Sequence, residues 1–268
     1  MIRAFTIATL CLTVPGFAQP PDRPGPARSM FSDMVAEQMN PAENHRLEPD
    51  LARELLETRR RREAAIRTDP GAYVPLIREA LTLPKPEDLQ VPTTPEGRLT
   101  DGTEQYQKQI ASRKVAAQVL SLLPADVRDP ILRESFEAAY AMARTVRASA
   151  FAEHERWQRA GADKQDKMKL VMASRRTQWF DGACIELIDA AAAAKSEVLL
   201  EPVFAAIADS GSDVGRNQQV GKYLEALVER RDDILRRLSD LLAEIQPIDR
   251  VRKHEIDKWI KRMEAGKT

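Results

Sequence analysis

Aromatic residues make up only 5% of this 268-residue chain, and cysteine and histidine are rarer still, with two and three copies. Two cysteines cannot build a disulfide framework or a cysteine-rich metal site. Three histidines give little material for an imidazole-ligated metal. Net charge is also missing: Lys+Arg and Asp+Glu both number 41, so no overall field draws the chain to nucleic acid or to an anionic membrane. No apolar run is long enough to span a bilayer as a helix. There is no G-x-S-x-G elbow and no glycine-rich phosphate loop.

What is present favours helices. Hydrophobic residues reach 43% and charged residues 31%, enough for a real core and a well-solvated exterior. Ala, Leu, Arg and Glu dominate, and unbranched side chains of this kind lose little freedom in a helix.

The N-terminus reads as an export signal. Arg3 precedes the short apolar run Ala4–Val14, Pro15-Gly16 breaks it, and Gly16-Phe17-Ala18 offers small residues to a signal peptidase. Cleavage after Ala18 leaves Gln19 first, in a periplasmic or secreted product. Leu10 before Cys11 is not the small residue a lipid-anchoring site wants. Without residues 1–18, Cys184 is the sole thiol. Phe180, Ala183, Leu187 and Ile188 surround it at helical spacing, so it reads as a buried small hydrophobe.

Beyond the signal, residues 19–48 are expected to form a proline-rich tether (Gln19–Ser29) and one short amphipathic helix over Met30–Asn40. A helical-repeat body then covers 49–246, opening with a helix from Pro49 to about Arg67. The proline-containing segment Leu83–Gly102 interrupts it as an irregular loop. The next helix stops at Pro124. Asp129 is expected to cap the following one, with Pro130 in its first turn. Leu132, Phe136, Ala139, Ala143, Val146, Ala150, Glu153 and Trp157 then form a stripe at steps of three and four. Another helix covers about Lys167–Ala194, where Ala190–Ala194 would let a neighbour approach closely. A last helix occupies 247–268.

One short phrase recurs. VPLIREAL (Val74–Leu81), DPILRESF (Asp129–Phe136) and EPVFAAI (Glu201–Ile207) each open with an early proline and two apolar residues. Pro202 inside a long helix costs about 3 kcal/mol, a cost removed by starting a new helix there. Leu199–Leu227 resembles the join between two HEAT repeats, with Asp209 and Asp213 in the turn, then Val214 and Arg216, then a leucine-rich helix. Asp126, Val127 and Arg128 echo that turn. The resemblance implies an all-α fold of stacked antiparallel helical hairpins, an α-solenoid with long C-terminal helices, and a scaffold that binds partners on a curved face.

Chemical motifs fail on spacing. HERWQ at His154 and HEIDK at His254 lack a second histidine four residues on, where Gln158 and Lys258 stand, and His45 is remote. DSGSD (Asp209–Asp213) lacks the ligand alternation of an EF-hand and reads as an inter-helix turn. The arginines of TRRRRE (Thr58–Glu63) fan around a helix, with Glu57 in reach of Arg61 and Glu63 in reach of Arg59. No catalytic, cofactor-binding or metal-ligating residue is assigned. The expected function is therefore an exported, non-enzymatic scaffold for an unidentified protein partner. The alternative is a structural envelope protein that oligomerises through C-terminal coiled-coil helices. That alternative rests on Val220, Leu224, Leu227, Arg231, Ile234, Leu238, Leu241 and Ile245, a heptad seam with one charge in its middle. Arg231 either lays its stem along the seam with its charge in water, or meets an acidic partner and sets register. Ile256, Trp259, Ile260 and Met263 offer an apolar face against which the seam can pack.

Overall fold

The computed structural model describes residues 25–39, 49–89, 104–160, 164–209, 211–245 and 249–266. The export signal 1–18, His45, the loop portion 90–102 and Pro247 lie outside them. Among the described residues every regular element is helical. The helices are α1 (Pro26–Met39), α2 (Pro49–Thr68), α3 (Val74–Leu81), α4 (Glu104–Ser121) and α5 (Ala125–Ala160), then α6 (Lys164–Ala194), α7 (Leu200–Ala208), α8 (Gln218–Ala226), α9 (Arg231–Glu244) and α10 (Arg250–Ala265). No helix among the described residues is long and apolar enough to cross a membrane.

The centre is the antiparallel hairpin of α5 and α6. α4 and α8 pack against α6, α1 and α3 pack on α4, and α9 pairs with α10. The stripe on α5 explains the hairpin. Leu132, Phe136, Ala139 and Ala143 are fully buried and Val146 nearly so. From Arg147 to Arg159 α5 buries no residue, and Ala150, Glu153 and Trp157 are half-buried. Cys184 is fully buried, and burial pushes its thiol up, away from the thiolate.

α1 begins at Pro26, inside the segment read as tether, because proline is well placed at the first helical position. Pro75 and Pro202 do sit in first turns. Pro130 does not: α5 starts at Ala125, after the Pro124 carbonyl accepts from the Val127 and Arg128 N–H groups at 3.2 and 2.9 Å. Asp129 is therefore inside the helix and caps nothing. Its carboxylate accepts instead from Arg128 Nε and from Ser196 Oγ, both at 2.8 Å, and so ties α5 to the turn after α6. The segment read as one irregular loop is anchored at its start, because Leu89 is buried against Ala143, Val146, Trp179 and Phe180.

The continuous C-terminal seam is also corrected. Leu227, at φ −87° and ψ 62°, breaks the helix, a 3-10 turn covers Val228–Arg230, and α9 starts afresh at Arg231. Asp232 and Asp233 in the first turn of α9 favour a helix N-terminus there. The apolar seam residues stay inside the chain: Val220, Leu224, Ile234 and Leu238 are fully buried, as are Ile256 and Trp259 of α10. Among the described residues Arg231 forms no ion pair with an acid. Its Nη1 donates to the Gly266 carbonyl at 3.0 Å, at the end of α10.

Candidate interaction cleft

Four helices, α1, α2, α4 and α6, enclose a cleft of about 840 Å³. Each contributes one face, with residues at helical steps. α2 supplies Leu55, Thr58, Arg59, Arg62 and Ile66; α4 supplies Lys114, Ala117, Gln118 and Ser121. α6 supplies Glu186, Asp189, Ala190 and Ala193, and α1 supplies Met34, Glu37 and Gln38. Of the alanines expected to admit a close neighbour, Ala191 is buried in the core, while Ala190 and Ala193 line the cleft.

α2 is held at one end. Ile66, near its C-terminus, is fully buried, and Arg62 donates to both oxygens of Glu37 on α1 at 2.7 and 2.6 Å. That bond lowers the Glu37 carboxyl below its ordinary value. Towards the N-terminus the helix loses cover: Leu55 is 44% exposed and Leu56 55%. The expected Arg59–Glu63 and Arg61–Glu57 pairs form, at 3.0 and 3.4 Å.

The other charges of the cleft differ in how well they are matched. Glu186 is taken by Arg113, a buried guanidinium that also lies over the Trp179 ring at 4.2 Å. Lys114 and Asp189 form no ion pair among the described residues. Desolvation raises the Asp189 carboxyl, and Lys222 on α8 only partly opposes it.

A second polar cluster lies elsewhere. Arg147 bridges Asp181 at 3.0 Å and Asp209 at 3.6 Å, and Tyr140 Oη donates to Asp209 at 2.8 Å. Burial pushes Asp181 up to about 6 and Tyr140 up to about 12. Asp209 also accepts from the Gly211 N–H at 3.0 Å, and the described residues of DSGSD lie between α7 and α8, where its spacing implied an inter-helix turn. None of these groups lines the cleft.

Comparison with family models, curated proteins and solved structures returns no match.

The remaining singled-out residues stand apart from both clusters. His154 stacks on Trp157 with ring centroids 5.6 Å apart and accepts from Gln158 at 2.8 Å. His254 is exposed on α10. Among the described residues no group of three His, Cys, Asp or Glu side chains is placed to hold a metal ion. Reading the sequence missed Leu55, Lys114 and Asp189. The steps Leu55, Thr58, Arg62 and Ile66 were legible as one face of α2, but nothing local says that α4 and α6 lie beneath it.

Proposed function

We propose that this chain is an exported, non-enzymatic helical scaffold that holds a protein partner in the cleft beside α2. The observation that carries this reading is the overhang of α2. A helix fixed at Ile66 and Arg62 presents Leu55 to solvent above walls of small residues, and the adjacent Leu56 is exposed as well. Leucines left uncovered beside a concave surface mark an interaction site more often than a bare surface does. A HEAT-like stacking of hairpins belongs to the proposal as well, supported by the pairing of α5 with α6 and of α9 with α10.

The test is a paired substitution, Leu55→Asp with Leu56→Asp, in the full chain returned to its own host. Both positions are exposed, so the melting temperature should hold while a larger native complex is lost on gel filtration. A complex that survives the substitutions would refute the cleft as its site. The export component is checked separately: the intact mass of the released form should begin at Gln19.

A further inference from the structure

Resting on the cleft as an interface, we propose that its occupant is one amphipathic helix, with a carboxylate on one flank of its apolar ridge and a basic group on the other. Backbone chemistry selects a helix. Every wall of the cleft is a helix whose main-chain groups are spent on its own hydrogen bonds, so there is no strand edge to pair with an extended peptide. An extended occupant would leave its own N–H and C=O groups facing apolar side chains. A helical occupant satisfies them internally and needs only side-chain complementarity.

The shape agrees. Ala117 and Ser121 on α4 face the cleft together with Ala190 and Ala193 on α6, and these short side chains leave room for the ridge of another helix. Met34 and Leu55 supply apolar surface at the side.

The charges give the polarity. Glu37 with Arg62, Arg59 with Glu63, and Glu186 with Arg113 are already matched within the chain. Lys114 on α4 and Asp189 on α6 are the lining charges left without an ion pair among the described residues. A carboxylate on the occupant meets Lys114, and a Lys or Arg meets Asp189.

A displayed library of helical peptides, with a fixed leucine ridge and randomised flanks, tests this against the full chain. Selection on the unmodified protein should enrich acid on one flank and base on the other by about tenfold. Selection on the double variant Lys114→Glu, Asp189→Lys should exchange the two flanks. Both substitutions lie at exposed positions, and circular dichroism verifies that the fold is kept. Peptides that lose binding with Leu55→Asp yet show no charge exchange would overturn the charge-matched helix and leave the interface reading standing. A library that yields no Leu55-dependent binder would overturn both. Self-association of the free chain in sedimentation, abolished by Leu55→Asp, would place a second copy in the cleft and also overturn the proposal.

Discussion

Arg147 on α5 and Asp181 on α6 form a largely buried ion pair, Nη2 to Oδ1 at 3.0 Å, in which Asp181 Oδ2 and Arg147 Nε find no partner among the described residues. The pair locks the hairpin where α5 loses its cover, and it does so incompletely. Burial therefore outweighs the guanidinium, and the Asp181 carboxyl rises from 3.8 to about 6. The folded state holds this proton more tightly than the unfolded state between those values. The stability it contributes is full below the unfolded value and is lost as pH rises through about 6.

The corresponding prediction concerns Asp181→Asn. Two pKa units correspond to roughly 3 kcal/mol. Denaturant unfolding at several pH values between 4 and 7 should show the unmodified chain gaining stability relative to the variant as pH falls. The difference should approach, at most, that size. A relative gain with rising pH would contradict the desolvated carboxylate.

How α6 ends gives a second prediction. The Ser196 N–H reaches the Ala191 carbonyl at 2.9 Å and the Lys195 N–H reaches Ala192 at 3.1 Å, with Lys195 at φ 51°. This termination favours glycine at the left-handed position. Lys195→Gly should stabilise the chain by about 1 kcal/mol in thermal or denaturant unfolding. A loss of stability would show that the lysine side chain matters more than its backbone strain.

Much of the helix order was legible in the sequence, because the stripe from Leu132 to Val146 and the proline-led starts at Val74 and Leu200 are local signals. The failures are places where a distant group decided. Asp129 has the chemistry of a cap, but Pro124 starts the helix earlier and Ser196 claims the carboxylate. The seam through Leu227 keeps its apolar spacing across a break that acidic residues and packing against α10 impose. The cleft was invisible for the same reason: Leu55, Lys114 and Asp189 belong to three helices that only tertiary packing brings together.

Arg231 supplies a third prediction, opposite in sign to a snorkelling side chain. Because it donates to the Gly266 carbonyl at the end of α10, Arg231→Leu should destabilise the monomer by about 1 kcal/mol. Equilibrium unfolding at several protein concentrations checks both the loss and its independence of association. Unchanged or increased stability would mean that the contact contributes nothing.

Gly215 is where a methyl group should do most harm. It would overlap the Ala206 carbonyl and lie 2.7 Å from Ile207 Cα, backbone atoms of α7 that cannot easily give way. Gly215→Ala should cost about 2–3 kcal/mol in unfolding free energy. At Gly71 the nearest atom to an added methyl is Asp69 Oδ1, at 3.8 Å, so Gly71→Ala is the near-neutral control. Equal effects at the two sites would refute the close approach of α7 to the turn after it.

If a partner sits beside Leu55 on α2, site-specific photocrosslinking in the native host will capture it. A photoreactive residue at position 55 should give a discrete heavier adduct containing a second protein. The same residue at position 251, exposed on α10 and outside the cleft, should give none. Adducts of equal yield from both positions, or none from position 55, would contradict the claim.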